Sequence, residues 1–338
     1  DTQIIYSTHS THISEVSNVE NINILGRNGG VCEVFQPAAG LDPGQIGNIQ
    51  RYLDAVRSNL LFAKSVLLVE GDAEEILVPI LIRQVFGLSL DELGTSLINI
   101  RSTGFENVAV LFHDMRIRKN CAIITDLDQA FIDLTPDPLD SDAEIKAKSR
   151  ALGSQTSGAA RSARLNAFCH DNAWLSAHFA QHTFEVDFIL AGNNAAVASI
   201  LNDVYVDAGT IAQAKADLES GDIARYGTRV LTMAKQVGKG WFAIILGKAI
   251  TPDVHLPNYL LSALFSAHRP ISVETMASIL EYRLKVQVAS GLVLQSQVDV
   301  MRDTIARFRD REIDFAAVRA EMLAAFPGDR INSIIAML

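Results

Sequence analysis

Cysteine, long apolar runs and positive charge are all in short supply in this chain, and each shortage removes a class of protein. Cys32, Cys121 and Cys169 are three in number and widely spaced. Neither a disulfide framework nor a CxxC-type zinc site is indicated, and the three read as ordinary buried or free thiols. The longest apolar runs, such as Phe242 to Leu246, fall far short of a membrane span, and no charged-then-apolar leader opens the chain. A cytoplasmic protein with no membrane partner is the expectation. The 29 Lys and Arg residues face 39 Asp and Glu, a formal net charge of −10. That deficit argues against a general polyanion binder, since nucleic acid demands a local positive surface. Carboxylates gathered to hold cations would themselves be part of the deficit, and bound divalent ions would invert the local field. No G-x-x-x-x-G-K-[ST] motif occurs: Gly238-Lys239-Gly240 lacks the upstream glycine and the hydroxyl residue, so no ATPase activity is expected of this chain. No Gly-rich turn follows the first buried strand, which removes a nicotinamide-binding reading.

What is present is enough apolar material for a large core. With 338 residues, 49% of them hydrophobic, two or three units are expected. The chain opens without Met on a strand-like run, Thr2 to Ser10, the pattern of a segment cut from inside a larger protein. Strand-like runs Ile22–Leu25 and Val31–Phe35, joined by the turn Arg27 to Gly30, predict a hairpin. A helix-patterned stretch from about Ile46 to Leu61 then connects to an alternation of strands and helices. Strand 65–70, helix 73–86, strand 97–100, helix 105–116 and strand 121–126 predict a parallel sheet with helical crossovers, an α/β fold. A further strand is expected over Thr183–Leu190. From Ala195 the chain is Ala- and Leu-rich with helical periodicity, and helices are expected over 211–219, 225–236, 241–250, 259–268, 273–286 and 298–308. Trp174, Trp241 and the scattered phenylalanines read as core.

The chemistry lies where the buried strands give out. Ser65-Val-Leu-Leu-Val-Glu70 and Cys121-Ala-Ile-Ile-Thr-Asp126-Leu-Asp128 are short, apolar and β-branched, as central parallel strands are, and ligands bind outside the carboxyl ends of such strands. One acid at a strand end is usually a solvated turn. Glu70, Asp126 and Asp128 together, after two buried strands in βαβ order, read as a magnesium site for phosphodiester chemistry, with Glu74 in the first turn of the next helix. Thr125 and Gln129 are candidates to support them. Glu185 and Asp187, with the same spacing on the later strand, would complete the cage. Two basic stretches are candidates for phosphate contact: Arg116, Arg118 and Lys119, and the run Lys146, Lys148, Arg150, Arg161 and Arg164. The second surrounds Gly153-Ser-Gln-Thr-Ser-Gly158, which reads as a mobile loop.

The combination Leu-Leu-Val-Glu70-Gly-Asp-Ala-Glu74 with Ile-Ile-Thr-Asp126-Leu-Asp128 resembles a Toprim domain, the catalytic fold of topoisomerases, primases and certain nucleases. With Thr-Phe-Glu185-Val-Asp187 and Val237-Gly-Lys239-Gly-Trp-Phe-Ala243 the chain is similar to the OLD (overcoming lysogenization defect) family of ATPase-coupled nucleases. The opening Ile-Ile-Tyr-Ser-Thr-His9-Ser10 resembles the switch-histidine strand that ends an ABC-type ATPase core. The resemblance implies four sections: an ATPase remnant over 1–45, a linker helix over 46–63, the Toprim domain over 64–195, and a helical section over 196–338 that contributes Lys239. It implies cleavage of DNA by in-line displacement with two Mg²⁺ or Mn²⁺ ions, and a role in defence against phage. Asp126 and Asp128 would hold metal, Glu70 and Glu74 would be further ligands or, for Glu70, a general base, and Glu185 ranks ahead of Asp187. Lys239 would face the phosphate. His9 would sense the γ-phosphate of ATP in an intact protein, and self-association would run through the ATPase core. One departure from the Toprim pattern is Ala130, where many such domains carry a third acid. The Asp126-Leu-Asp128 run also resembles the motif of haloacid-dehalogenase-type phosphatases, although that family places it near the domain start. A metal-stabilised DNA-binding or dimerisation module without catalysis is the remaining alternative.

Overall fold

The computed structural model describes all residues except 1, 3, 29, 54–56, 102–103 and 337–338. Two strands, β1 (Ile24–Asn28) and β2 (Val31–Phe35), pair antiparallel with Ile24 opposite Phe35. Four more form a parallel sheet: β3 (Ser65–Val69), β4 (Thr95–Asn99), β5 (Cys121–Asp126) and β6 (Leu175–Ala180), in the order β4-β3-β5-β6. The helices run from α1 (Thr11–Val16), α2 (Pro43–Tyr52), α3 (Asp72–Phe86), α4 (Leu90–Leu93), α5 (Glu106–Ala109), α6 (Asp142–Cys169) and α7 (Phe184–Phe188) to the C-terminal series. That series is α8 (Asn194–Ser199), α9 (Leu201–Val204), α10 (Ala208–Leu218), α11 (Ile223–Val237), α12 (Lys239–Gly247), α13 (Asn258–Ala267), α14 (Val273–Ala289), α15 (Gln295–Arg309), α16 (Phe315–Ala325) and α17 (Ile331–Ile335).

The central strands are apolar through Val66–Val69 and Cys121–Ile124 because both faces of the sheet are covered. Alternate residues enter separate cores, as the two-residue period of a strand requires. Leu67, Val69, Ala122 and Ile124 join the core built with α3 and the C-terminal helices. Val66, Leu68, Cys121 and Ile123 join the other, with Ile24 and Phe35 of the hairpin, Ile49 of α2 and Leu165 of α6. The helical section thus packs directly on the sheet. α13 lies across β3, β5 and β6, and α12 runs against α3.

Five expectations are corrected. The opening run forms no strand over residues 4–10; Gln3 lies outside the described residues. The connector is not one helix. Asp42 and Gln45 form a capping box, Pro43 takes the first turn, and α2 ends at Tyr52; a separate 3-10 helix covers Arg57–Leu61, and residues 54–56 of the expected helix lie outside the described residues. The helix expected to Arg116 stops at Ala109, and Phe112 bridges to Ile117 instead. Gly153–Gly158 is no loop but the middle of α6, a helix opened by a Ser141–Glu144 capping box. Gly158 is required by packing, since a Cβ there would lie 1.9 Å from the Leu127 carbonyl oxygen. Finally, residues 184–188 form α7, and the strand falls earlier, at β6. Every residue of α7 is buried, so no polar face marks the helical period. β6 is an edge strand with Ser176 and His178 half-exposed, and it shows no continuous apolar run.

Candidate active site

Glu70 follows β3 directly, and the chain turns through Gly71 into α3. A Cβ at Gly71 would meet Glu74 Oε2 at 2.6 Å, so a glycine is what lets Glu74 fold back over the turn. Thr125, one residue before the end of β5, donates its hydroxyl to Glu70 Oε2 at 2.7 Å and ties the two strand ends together. Asp126 closes β5. Beyond it the chain leaves the strand, and Asp128 takes a left-handed conformation (φ 52°) while its amide donates to the His182 carbonyl at 3.1 Å. Asp126 and Asp128 therefore reach the cleft from different backbone conformations.

Two further elements close the cleft. Glu185 comes from α7 and is buried, and its Oε1 has no hydrogen-bond partner. Lys239, the first residue of α12 after Gly238 (φ 90°), places Nζ 3.8 Å from that oxygen. Arg161 of α6 completes the lining, with Nη2 3.0 Å from Asp128 Oδ2. Glu70, Asp72, Glu74, Asp126, Asp128 and Glu185 surround a cavity of about 220 Å³ together with these two cations.

The electrostatics follow from burial and crowding. Burial is the main cause that pushes the Glu74 carboxyl from its ordinary 4.5 to about 7, and Glu185 and Glu70 push the same way. Asp126 is driven well above the usual carboxylate range, again by burial first, then by Glu74, Asp128 and Glu185. Lys239 is raised, chiefly by Glu185, so its ammonium is held protonated.

Asp187 is not part of this lining. It accepts hydrogen bonds from the Gln181 and His182 amides, at 2.5 and 3.2 Å, and fastens the turn between β6 and α7. Gln129 contributes through its main chain, its carbonyl 2.7 Å from His182 Nδ1. At Ala130 the amide donates to Gln155 Oε1 at 2.9 Å, so this position docks α6. No motif in the sequence marks Asp72 or Asn99 as a site residue. Asn99, at the end of β4, donates to Asp72 Oδ1 and Glu75 Oε2 at 3.0 and 2.8 Å; its place at the end of a strand beside β3 was the available signal.

Most of the basic candidates are engaged elsewhere. Arg116 is buried and donates to the Val110 and Ala39 carbonyls. Lys119 donates to the Leu61 carbonyl, Arg118 to Asp114 O and Glu33, and Lys148 to Thr135 O and Asp140. Arg164 pairs with Glu106. Lys146 and Arg150 are exposed on α6. His9 is exposed, its ring 6.4 Å from that of Phe62.

Among the described residues, no three Asp, Glu, His or Cys side chains already stand around one point at metal-ligand spacing. The donor set nevertheless suits a hard divalent cation. It consists of carboxylate oxygens, one of them buried and unpartnered, in a cleft where ionised acids are disfavoured until positive charge arrives.

Residues 61–128 match the family model of the overcoming lysogenization defect protein-like TOPRIM domain. No curated protein matches the chain. Among solved structures, the chain is similar to the C-terminal region of the Burkholderia pseudomallei OLD protein, with 22% identity over 62% of this chain and 100% of that one and a TM-score of 0.45. It is also similar to the C-terminal region of the Xanthomonas campestris pv. campestris OLD protein, with 22% identity over 63% and 98% and a TM-score of 0.42. The segment that carries Glu70, Asp126 and Asp128 thus matches an OLD-like TOPRIM domain, and the match supports a nuclease-type function in general.

Proposed function

We propose that this chain is a Mg²⁺- or Mn²⁺-dependent DNA endonuclease, the nuclease part of an ATPase-coupled OLD family protein. The observation that carries the reading is the convergence of Glu70, Glu74, Asp126, Asp128 and Glu185 with Lys239 around one cleft. A scaffold has no physical need for so many acids in one place, where each raises the cost of ionising the next. These five carboxylates would hold the metal, two ions per site. Divalent ions bound there supply Lewis-acid stabilisation of phosphate charge and lower the pKa of a water.

The chain's own residues do the remaining work. Glu70 is oriented by Thr125 and has a partly open side chain, which suits it to accept a proton from the attacking water. The Lys239 ammonium would offset the charge that develops on the phosphate as the bond to the departing 3′-oxygen breaks. A cation at the first position of a helix is unfavourable to the helix dipole unless an anion faces it. Glu185 is that anion in the free protein, and the phosphate would join it. DNA is the substrate in this reading. ATP and self-association would act through an ATPase core of the intact protein, and a cytoplasmic location belongs to the same reading. Among the described residues no helix is long and apolar enough to cross a membrane.

The test is nicking and linearisation of supercoiled plasmid with Mg²⁺, Mn²⁺, Ca²⁺ or EDTA, beside Asp126→Ala and Lys239→Ala. Cutting with Mg²⁺ or Mn²⁺ that Asp126→Ala abolishes and Lys239→Ala strongly reduces is the expected result. Intact protein that leaves DNA uncut yet hydrolyses a phosphomonoester would overturn it in favour of a phosphatase.

A further inference from the structure

Arg161 stands among the acids in a place that nuclease chemistry does not by itself explain. Its Nη2 donates to the Asp126 carbonyl at 2.5 Å and to Asp128 Oδ2 at 3.0 Å, while Nη1 lies 3.9 Å from Glu70 Oε1. One guanidinium therefore spans the ends of β3 and β5, whose acids are the proposed ligands. Its Nε is buried with no hydrogen-bond partner. The helix that carries it is firmly seated: Gly158 lets α6 meet the Leu127 carbonyl, and Gln155 takes the Ala130 amide. Residues 155, 158 and 161 recur at helical spacing, so one face of α6 makes all three contacts. These contacts hold the α6 backbone, so a change of partner would fall to the Arg161 side chain.

We propose, on the nuclease reading above, that Arg161 is the resident counter-ion of the acid cleft and its DNA-phosphate clamp in turn. In the metal-free protein it neutralises Glu70 and Asp128. When divalent ions take those acids, like-charge repulsion displaces the guanidinium, and it pairs with a phosphate of the bound strand. Carboxylate and phosphate oxygens both accept the paired N–H donors of the guanidinium fork, so a phosphate replaces the Asp128 contact, and the bond to the Asp126 carbonyl is the one the exchange gives up. The unpartnered Nε supplies one more donor for the new partner. Arg161 thus sets metal affinity and DNA grip in opposite directions, which a strut would not do.

The experiment uses the full chain and reads binding rather than cleavage. Mn²⁺ uptake without DNA is measured by titration calorimetry for the wild type, Arg161→Met and Arg161→Lys, and Ca²⁺-supported duplex binding is measured across a salt series. Arg161→Met is expected to take up Mn²⁺ about three to ten times more tightly, because a competing cation is gone. It is expected to bind duplex roughly tenfold more weakly, with the slope of log K against log salt reduced by about one. Arg161→Lys keeps the charge without the fork and is expected to bind duplex more weakly at an unchanged slope; should the Met variant fail to fold by circular dichroism, this variant decides. Unchanged or weaker Mn²⁺ uptake, or an unaltered slope in the Met variant, overturns the proposal and leaves Arg161 a strut between α6 and β5. A wild type that takes up no Mn²⁺ sinks the nuclease reading and this inference with it. A wild type that binds Mn²⁺ and cuts DNA, beside a Met variant that behaves identically, sinks only the inference.

Discussion

In the helical section Arg283 and Asp329 are fully buried and face each other through Nε to Oδ1 at 2.9 Å and Nη2 to Oδ2 at 3.1 Å. Arg283 spends its remaining donor on the Val85 and Pro252 carbonyls, and Asp329 also accepts from Gln287 Nε2 and the Ile331 amide. In the cleft Glu185 is nearly as buried, yet its Oε1 is 3.8 Å from the nearest ammonium and accepts no hydrogen bond. Glu74 and Asp126 beside it are held above their ordinary pKa values. Both sites bury charge, but only the first compensates it. The complete cluster ties α14 to the end of α3 and to the segment before α17, and it has no capacity left for a ligand. The incomplete one leaves room for cations. Missing compensation at a strand end, more than acidity as such, is what separates a working site from a strut.

Breaking the complete cluster should give the largest effect. Asp329→Ala leaves a buried guanidinium unpaired and is expected to cost about 3–5 kcal/mol in urea unfolding. The double replacement Arg283→Met with Asp329→Leu should recover most of that loss. If Asp329→Ala costs less than about 1 kcal/mol, completeness is not what distinguishes the two clusters.

In the cleft the balance is expected to reverse, with activity lost and stability kept. Lys239 has a side chain 63% exposed, and its removal should leave the melting temperature nearly unchanged. Plasmid cleavage by Lys239→Ala should fall about a hundredfold, the scale of removing one group aimed at developing charge.

Glu74→Gln sharpens the same point by pH. Because the folded carboxyl titrates at about 7 against an ordinary 4.5, its contribution to stability is fully present below 4.5 and is lost as pH rises through 7. In EDTA at pH 8 the variant should therefore be more stable than the wild type, by about 1 kcal/mol, and the gain should vanish near pH 4.5. Equal melting curves at both pH values would mean that Glu74 carries no burial strain.

How much of this was legible in sequence depended on whether a residue's period matched its surroundings. β3 and β5 are buried on both faces, so their unbroken apolar runs identified them, and with them Glu70, Asp126 and Asp128 at their ends. Glu185 enters the cleft and Asp187 does not for one reason. Two residues apart on a strand, both carboxylates would share a face, but on α7 they diverge by about 200°. Glu185 turns into the cleft and Asp187 to the Gln181 and His182 amides. The polar run Gly153–Gly158 has turn composition, and only the approach of Leu127 to Gly158 explains why it is helix. With Gly153–Gly158 read as a loop, Arg161 is one basic residue among several around it, and its place beside Asp128 is out of reach.

Lys119 lies between the two extremes and offers the smallest test. Its Nζ donates to the Leu61 carbonyl at 3.0 Å, and among the described residues it forms no ion pair; burial pulls its pKa from 10.5 to about 8. The unfolded chain therefore binds more protons than the folded one between about 8 and 10.5, and stability should rise with pH across that window. Below 8 both states carry the proton, and the full cost of the half-buried ammonium is felt. Lys119→Met removes that cost together with one hydrogen bond, so at pH 7 it should be more stable than the wild type by about 0.5 kcal/mol, a figure discounted for the solvent that reaches the site. The gap should close as pH approaches 10.5, because the wild-type side chain then buries as a neutral amine. Urea unfolding of both proteins at pH 7, 8.5 and 10 reads the difference directly, with other titrating groups common to both. A gap that stays constant with pH would show that Lys119 keeps its proton in the fold and that one carbonyl is sufficient compensation. Completeness would then be a matter of degree, and the contrast between the Arg283 cluster and the acid cleft would rest on their numbers of like charges alone.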